Sequence, residues 1–495
     1  MSEERLPSFA LRPVGAVVLA QVAVLAAFSG RYGFFRDELY FLAAGKHPAW
    51  GYVDQPPLTP LLARASSALF GETPTGLRIV AILMAAATVV VVSLVARELG
   101  GGRGPQVLSA AATALSGFGL VVSHLLSTST FDLLVWVTLG LLTLRLLRTG
   151  DGRWWLPIGA VIGIGLANKW LVLLLVAALG LALLVTGPRS VLTSLWLLVA
   201  VPLAAVLAAP VLMWQASENF PMLSVASGIA ASDGTENRIM FVPLQLVYVA
   251  PVLVPVWIAG LVRLWREPAL RWARALALTY PIVCVALLLL GGKPYYAAPL
   301  LLLLTAAGAE PSLRWLDRGR RRVGWTIAAV VGAGISLVIG LPILPPSALA
   351  PVTAVNNDAG EQVGWPKFVQ TVAGVWQQIP PGQRATAVIL TGNYGQAGAV
   401  ELYGPGIGLP KPYSGHMSYA DWGPPPDSLT GPVVLVGRFE NDDPARRFLV
   451  GCHDVAVHDN GLGLDNDEQG TKIALCAGTS GHWSRFWPQL RRYYS

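Results

Sequence analysis

Two adjacent carboxylates, Asp37 and Glu38, come shortly after the first long apolar run of this chain, which covers residues 11–28. They are flanked by Phe35 and by the apolar run 39–42. A carboxylate held beside a reacting hydroxyl can take its proton, and such general-base help accelerates a reaction by about 10²–10⁴-fold. Ionisable groups are costly to keep close to an apolar span, so the pair is a candidate catalytic site.

The same residues also permit a structural interpretation. Arg36, Asp37 and Glu38 could cap and solvate a helix at a membrane interface, and Pro56-Pro57 could begin the next helix. Successive residues of a helix point about 100° apart, so the two carboxylates cannot face one atom equally well. Asp37 is therefore the candidate base and Glu38 the reserve. The other carboxylate could instead organise the loop or hold a divalent ion.

The composition places these residues in a membrane protein. Of the 495 residues, 54% are hydrophobic and 13% are charged, and that charged share is about half of what soluble globular proteins carry. A soluble chain cannot cover so much apolar surface, which excludes a soluble class. The net charge of +7 comes largely from arginines in short loops between apolar runs. That placement favours membrane topology over a nucleic-acid-binding face.

Apolar runs predict about eleven membrane-spanning helices, since a span needs about 20 mostly apolar residues. Segment 154–187 is the ambiguous one, because a single helix there would bury Lys169 at about 2.5–3.5 kcal/mol. Two short helices with Lys169 at the outer surface avoid this cost. The predicted spans are 12–30, 76–96, 105–124, 130–147, 154–168, 170–187, 191–214, 241–264, 272–290, 294–310 and 323–343.

Basic residues are distributed unequally between alternate connections, and cytoplasmic loops are the ones enriched in arginine and lysine. The N-terminus is therefore predicted to be cytoplasmic, and an odd number of spans places the tail outside. No cleavage pattern follows the first apolar run, so it is predicted to be a retained helix. The arginine-rich connections lie around 97–103, 145–153, 189, 263–274 and 314–322, while the intervening connections between later spans carry Lys169, Arg238 and Lys293.

Two domains follow from this arrangement. Residues 1–343 form a predicted transmembrane domain with an outer loop at 31–75, and residues 344–495 form a predicted soluble extracytoplasmic α/β domain. In the tail, 386–391 and 432–436 predict buried strands. Segment 361–378 predicts a helix with a candidate break at Pro366.

The chain has three cysteines, and two of them, in the tail, favour a disulfide over a metal site. Cys452 and Cys476 would lie on the oxidising side of the membrane, which predicts a disulfide between them. Two free buried thiols are the alternative. No CxxC or Cys/His zinc pattern occurs in the sequence, so a structural metal is not expected.

Further motifs accompany the carboxylate pair in a characteristic order. They are Pro56-Pro57-Leu58, Ser123-His124 with Phe131-Asp132, 163–165 with Asn168-Lys169, and Gly292-Lys293-Pro294-Tyr295-Tyr296 with Pro299. The set resembles the GT-C membrane glycosyltransferases, in particular the dolichyl-phosphate-mannose protein mannosyltransferases and lipid A aminoarabinose transferases of glycosyltransferase family 39 type. The likeness covers roughly residues 10–343. More vaguely, Asn393-Tyr394-Gly395-Gln396 and the run 414–424 resemble the extracytoplasmic domains of bacterial members.

The resemblance implies a fold and a reaction. It implies a polytopic α-helical GT-C-like protein that moves a sugar from a polyprenyl-monophosphate donor to an extracytoplasmic hydroxyl, with inversion and with Asp37 as base. The acceptor would be a protein, a lipid or a cell-wall glycan, and no nucleic acid is expected. The donor-phosphate candidates are Lys293, Lys169, Arg36, Tyr295 and Tyr296. The loop and acceptor candidates are Tyr52, Asp54, Gln55, His124, His416 and Trp422.

One departure concerns the donor phosphate. In the aminoarabinose transferases a lysine precedes the Pro-Pro pair, whereas this chain has Gln55 there, preceded by Asp54. Another cation must then neutralise the phosphate, from the side chains above or from a divalent ion, the one candidate cofactor. Two rival interpretations are a transporter or lipid permease and a catalytically inactive binding relative. Transporters commonly contain internal repeats and midplane charges, and this chain has no evident repeat.

Overall fold

The computed structural model describes residues 6–317, 319–437, 439 and 443–493. Arg318, which belongs to the last arginine-rich connection, lies outside the described residues. The part up to Gly340 is helical. Its helices are α1 (Leu11–Phe28), α2 (Arg36–Lys46), α3 (Leu58–Phe70), α4 (Pro74–Glu98), α5 (Arg103–Ala114), α6 (Gly117–His124), α7 (Thr128–Thr149), α8 (Trp155–Leu166), α9 (Val172–Thr186), α10 (Leu195–Ser217), α11 (Pro221–Ser232), α12 (Gly234–Val247), α13 (Val254–Arg266), α14 (Arg274–Leu290), α15 (Ala298–Leu316) and α16 (Arg320–Gly340).

Seven helical segments in the described ranges are long and apolar enough to cross a membrane by length and composition. They are α1, α4, α7, α10 and α16, together with α14 and α15, each extended by the 3-10 turn before it. Two bent pairs, α5 with α6 and α12 with α13, raise the number to nine if each pair is one span. These counts are lower than the about eleven spans that the apolar runs predict. Helices α8 and α9 are separate, as expected, but their 12 and 15 residues fall short of the about 20 that a span needs.

The two bends have local causes. Helices α5 and α6 meet at 58°, where the Ser116 side chain accepts a hydrogen bond from the Gly119 amide and so begins a new helix. Helices α12 and α13 meet at 75°. There Ala250 has a φ of 92°, which is rare for a residue with a side chain. Pro251 follows it and disfavours a helical conformation for Ala250.

The tail contains a mixed five-stranded sheet, which confirms the small α/β domain. The strand order is β2-β1-β3-β6-β5, with β1 parallel to both neighbours and the remaining pairs antiparallel. A second sheet pairs β4 with β7. The elements are α17 (Ala350–Thr353), α18 (Trp365–Trp376), β1 (Val388–Thr391), α19 (Tyr394–Tyr403), β2 (Pro412–Ser414), β3 (Val433–Val436), α20 (Pro444–Phe448), β4 (Leu449–Val450), β5 (His453–Val457), β6 (Lys472–Cys476), β7 (Gly478–Thr479) and α21 (Trp483–Leu490).

The predicted tail elements correspond to the centre of this domain. The two predicted strands are β1 and β3, every residue of which is buried. The predicted helix is α18, and Pro366 stands in its first turn rather than breaking it, because the first helical turn tolerates proline. Cys452 and Cys476 are joined by a disulfide with an S–S distance of 2.08 Å.

Helix α2 of the outer loop packs directly against the tail. Its Leu39 and Tyr40 share one hydrophobic core with Phe368 of α18 and Ile389 of β1. Helix α19 approaches α2 through glycines. A Cβ on Gly398 would lie 2.9 Å from the Cβ of Leu39, and one on Gly395 would collide with the Cγ of Arg36. The close approach places the first residues of α2 between the membrane helices and the sheet.

Candidate active site

Glu38 is fully buried, and its carboxylate accepts four hydrogen bonds. The donors are Arg78 Nε at 2.9 Å, Arg78 Nη2 at 2.7 Å, the Phe35 amide at 2.8 Å and the Leu126 amide at 2.9 Å. An ionised carboxylate has about four acceptor positions, so all of them are occupied. Glu38 therefore fastens the start of α2 to α4 and to the α6–α7 connection, and it offers no oxygen to a substrate.

Arg78, near the start of α4, is the partner that sequence reasoning missed. Its side chain has no exposed surface. It donates to the carbonyl oxygens of Ser29 and Gly33 at 2.7 Å each, and it also contacts His124 Nε2 at 3.3 Å. The clue in the sequence was an arginine within a long apolar run, which is costly unless it is paired. His124, a candidate site residue, thus belongs to this buried network and lines neither of the cavities described below.

Asp37 has the opposite environment. Its side chain is 34% exposed. Its Oδ1 accepts a hydrogen bond from the Tyr394 hydroxyl at 2.7 Å and lies 3.8 Å from Arg36 Nε. No partner of Oδ2 occurs among the described residues. Of the two adjacent carboxylates, only Asp37 can present an unoccupied oxygen to a bound molecule.

Asp37 lies at the polar end of a cavity of about 600 Å³, called here the membrane cavity. Away from this end the wall is mostly apolar, with Val121 of α6, Leu244 and Val247 of α12, and Ile335 of α16. Both helix bends border it. The polar end is formed by Arg36, Asp37, Ser129, Lys293, Tyr295 and Asp358. The cavity therefore joins a charged pocket to an apolar groove between helices.

Three of the five donor-phosphate candidates, Arg36, Lys293 and Tyr295, line this polar end, whereas Lys169 and Tyr296 are not part of the cavity wall. Lys293 lines the cavity and lies 4.0 Å from a carboxylate oxygen of Asp233. Lys169 donates to the hydroxyl of Ser129 at 3.2 Å. Its ammonium lies 4.6 Å and 5.5 Å from the ring centroids of Tyr296 and Tyr295. Lys169 is thus partly buried beside these rings.

Asp358, from the 3-10 turn before α18, is a second carboxylate at the polar end that the sequence did not indicate. Burial raises its pKa to about 6, the charge of Asp37 adds to the rise, and Arg36 and Lys293 oppose it. In the part of the chain that the structure describes, no group of three or more His, Cys, Asp or Glu side chains could hold a metal ion. Asp37 and Asp358 are the carboxylates of the polar end.

The loop candidates Tyr52 and Asp54 both contact residues of α2. The Tyr52 hydroxyl is buried within 2.9 Å of the Ala44 carbonyl oxygen, so it closes the turn after α2. Asp54 accepts a hydrogen bond from the Tyr40 hydroxyl at 2.8 Å. Burial raises the pKa of Asp54 to about 7. Gln55 is buried, and its two amide atoms have no hydrogen-bond partner within the described ranges.

A second cavity, of about 440 Å³, lies on the tail side of Arg36 and is called here the polar cavity. Arg36 lines both cavities, and the Tyr394 side chain that contacts Asp37 lines this one. His416 is also part of its wall, whereas Trp422 is not and instead stacks on His47 with ring centroids 4.4 Å apart. The wall comprises Arg36, Gly392, Asn393, Tyr394, Gln396, His416, Met417, Asp467, Thr471 and Arg492.

Part of the chain matches a known family. Residues 54–214 match the family model of dolichyl-phosphate-mannose-protein mannosyltransferases. The matched segment is less than half of the chain and begins after Asp37 and Glu38. A search of curated proteins by sequence finds no match.

The fold as a whole is found in solved structures. The chain is similar to ArnT from Cupriavidus metallidurans bound to undecaprenyl phosphate, with a TM-score of 0.60 and 16% identity over 94% of this chain and 98% of that chain. It is also similar to ArnT from the same organism in the apo state, with a TM-score of 0.56 and the same identity and coverage. At this identity the likeness concerns the fold, and the GT-C-like fold expected from the sequence is confirmed.

Proposed function

We propose that this protein is a multi-pass membrane glycosyltransferase. It moves a sugar from a polyprenyl-monophosphate donor to an acceptor hydroxyl, by one displacement with inversion and with Asp37 as general base. One observation carries the proposal. The membrane cavity joins a polar end with Asp37 and Lys293 to an apolar groove between α6, α12 and α16, which suits a phosphate attached to a lipid chain.

The shape of the cavity favours a lipid-linked donor over a soluble one. A polyprenyl chain stays in the bilayer, so its site must open between helices at the depth of the headgroup. The volume of about 600 Å³ is within the usual range of ligand pockets, about 300–1,000 Å³. A nucleotide-linked sugar would leave the apolar wall formed by residues such as Val247 and Ile335 without a partner.

In the proposed reaction, Asp37 takes the proton of the acceptor hydroxyl. The hydroxyl oxygen forms a bond to the anomeric carbon of the sugar, the bond from that carbon to the phosphate oxygen breaks, and polyprenyl phosphate leaves. Tyr394 holds one carboxylate oxygen of Asp37, so the other oxygen is the one assigned to the proton. Glu38 is assigned a structural role because its acceptor positions are occupied.

The leaving phosphate carries negative charge that must be stabilised as it develops. We assign this role to Lys293 and Tyr295, which line the polar end, and to Lys169, whose ammonium donates to Ser129 of the same wall. Charge-assisted hydrogen bonds from such groups are about twice as strong as neutral ones. A divalent cation, if one takes part, would be held by Asp37 and Asp358, the carboxylates that line the same end.

The topology is part of the proposal. With seven or with nine spans, both odd numbers, the segments before α1 and after α16 would lie on opposite sides of the membrane, and we propose this arrangement. The distribution of arginine between connections favours a cytoplasmic N-terminus. The sheet domain and the polar end of the membrane cavity would then meet an extracytoplasmic acceptor: a protein, a lipid or a cell-wall glycan.

Two likenesses support the donor class. The matched family model is that of dolichyl-phosphate-mannose-protein mannosyltransferases. The ArnT structure that shares the fold has undecaprenyl phosphate bound. Both lipids are polyprenyl phosphates, the class of donor that the amphipathic cavity favours.

The test uses the purified full-length protein in lipid bilayers. Radiolabelled sugars are supplied on polyprenyl phosphate and, as the matched control, on nucleotides, with crude membranes as a source of acceptor. The proposal predicts release or transfer of sugar from at least one polyprenyl donor and none from its nucleotide counterpart. Absence of binding and turnover with every polyprenyl donor would contradict it and favour a transport or binding role.

A further inference from the structure

The polar cavity lies where open α/β sheets usually bind ligands. Gly392 and Asn393 follow β1, and His416 comes two residues after the end of β2, and these neighbouring strands are parallel. All three residues line the cavity. Ligands of such sheets bind outside the carboxyl ends of the parallel strands. The position alone makes this cavity a candidate binding site distinct from the membrane cavity.

His416 brings a hydrogen-bond donor without an acceptor to this wall. Its side chain is buried, with 4% of its surface exposed. Its Nδ1 lies 3.3 Å from the backbone nitrogen of Tyr394. Because an amide N–H can only donate, Nδ1 must be the acceptor, and the proton of the neutral ring is on Nε2. Nε2 has no partner among the described residues.

The ring of His416 is held neutral and in one orientation. Burial lowers its pKa to about 3, and the charges of Arg492 and Arg36 add to the effect. The ring also stacks on Tyr394, with centroids 5.2 Å apart and planes at 11°. An unsatisfied buried donor destabilises the folded protein. The acceptor atom of a ligand would remove that destabilisation.

The charged groups of the wall indicate the kind of ligand. Arg36 donates through Nη1 to Asp467 at 2.6 Å, and Arg492 donates through Nη1 to Asp443 at 3.1 Å. A guanidinium has five N–H groups, so both arginines keep further donors. Asp443 does not line the cavity. Among the described residues, the charged groups of the wall are therefore two guanidinium groups and one carboxylate, that of Asp467.

The amides and the hydroxyl of the wall are already engaged. Asn393, Gln396 and Thr471 all donate to the buried carboxylate of Glu468, at 3.1, 2.7 and 3.3 Å. The Gln396 side-chain oxygen accepts from the Gly392 amide. Apart from the carboxylate of Asp467, the groups left to meet a ligand are donors, and the side chains that line the wall carry two positive charges against one negative charge.

We propose that the polar cavity binds an anionic sugar unit of the acceptor, whose carboxylate or phosphate oxygens accept hydrogen bonds from His416, Arg36 and Arg492. The assignment rests on the proposed function in naming the ligand as part of the acceptor. The Tyr394 side chain lines this cavity and contacts Asp37 directly. The Tyr394 side chain lies between the polar cavity and Asp37. When one sugar unit of the acceptor is bound in the cavity, the neighbouring unit can bring its hydroxyl to Asp37.

Binding is measured on the full-length protein in lipid nanodiscs by saturation-transfer difference NMR, without any donor. The probes are D-glucuronate and D-glucose, which differ in a carboxylate, and D-glucose 6-phosphate. Both anionic sugars are expected to bind, and glucose to bind at least about tenfold more weakly, because a lost charge-assisted contact is worth about one power of ten or more. Equal binding of glucose and glucuronate, or no binding of either anion, would overturn the assignment.

Two variants and a control locate the binding. Arg492→Gln and His416→Ala are each expected to weaken binding of glucuronate at least about tenfold, because each removes one of the proposed contacts. Arg447→Gln, an exposed arginine of the same domain outside both cavities, is expected to leave binding unchanged. A thermal unfolding scan of each variant separates lost contacts from lost folding. Unchanged binding in a folded Arg492→Gln variant would overturn the proposal.

The measurement is independent of turnover. If no polyprenyl donor reacts, the proposed function fails while binding of the anionic sugars and its loss in the variants can still be observed. If the donor reacts but anionic sugars do not bind, the function stands and the polar cavity is not the acceptor site.

Discussion

The membrane cavity and the polar cavity share Arg36 but are built for different partners. The first is lined mostly by apolar side chains of membrane helices and is charged at one end. The second is lined by polar and charged groups that follow the strands of the tail. In the proposed reaction this difference would separate the two substrates: the membrane helices would receive the lipid and the sheet the polar partner. The start of α2, which carries Arg36, lies between the two cavities.

The largest effect should follow from breaking the ion pair that holds α2 in place between the cavities. In Glu38→Gln, Arg78 stays charged and fully buried without its partner, and breaking a buried pair costs about 3–5 kcal/mol. Thermal unfolding of the purified variant should therefore occur far below that of the wild type. The control is Glu72→Gln, whose exposed pair with Lys46 should contribute at most about 1 kcal/mol. Equal unfolding temperatures for the two variants would contradict this assignment.

The next effect concerns the charged end of the membrane cavity. Lys293→Gln should lower kcat/KM for the polyprenyl donor about 10- to 100-fold, since a hydrogen bond to a charged group is worth about 1.5–3 kcal/mol. Lys46→Gln is the matched control, because Lys46 is exposed and lines neither cavity. Identical kinetics in the two variants would place the donor phosphate elsewhere.

A smaller effect is expected at the boundary between the cavities. Tyr394→Phe keeps the ring that lines the polar cavity but removes the hydrogen bond to Asp37. A net contribution of about 0.5–1.5 kcal/mol predicts a two- to tenfold fall in kcat. Tyr413→Phe, in the neighbouring strand β2, is the control. A fall as large as that of removing the base itself would mean that the hydroxyl of Tyr394 takes a direct part in proton transfer.

A pH dependence of stability, an effect separate from catalysis, is expected at Asp54. Its pKa is raised to about 7 in the folded protein, against about 3.9 in an unfolded chain. Between these values the folded state binds more protons, so the contribution of Asp54 to stability is present at low pH and is lost as pH rises towards 7. The Asp54→Asn variant has no carboxyl group at this position, so it should not show this loss of stability.

This pH dependence is measured from the unfolding temperatures of the wild type and of Asp54→Asn at about pH 5 and about pH 8. The difference, variant minus wild type, should increase by a few degrees at the higher pH. Other carboxyls with raised pKa, such as Glu361, are present in both proteins and cancel in this difference. An unchanged difference would mean that Asp54 is ionised throughout.

Much of the charged end of the membrane cavity could be predicted from the sequence. Asp37, Lys293 and Tyr295 lie in motifs at the ends of apolar runs, and helix ends on one side of a membrane meet near one surface. The different roles of Asp37 and Glu38 could not be predicted. They depend on Arg78, which is 40 positions further along the chain, and on the helix rotation that turns one carboxylate inward.

The spans were predicted less well, and for a physical reason. Apolar composition indicates burial in lipid or protein alike. Helices α8 and α9 are apolar enough but too short, and the breaks after Ala114 and Val247 depend on Ser116 and Pro251, which are single residues within apolar runs. Asp358 and Arg492 were missed because their positions in the site come from the folding of the tail, which apolar periodicity does not specify.

The central claim is that Asp37 is the base, and Asp37→Asn tests it most directly. Single-turnover transfer from a polyprenyl donor would be measured together with binding of that donor, with the exposed Asp151→Asn variant as control. If Asp37 is the base, the rate of transfer falls by more than about 10²-fold while the donor still binds. Transfer at a rate close to that of the wild type would contradict this claim and move the base to another residue.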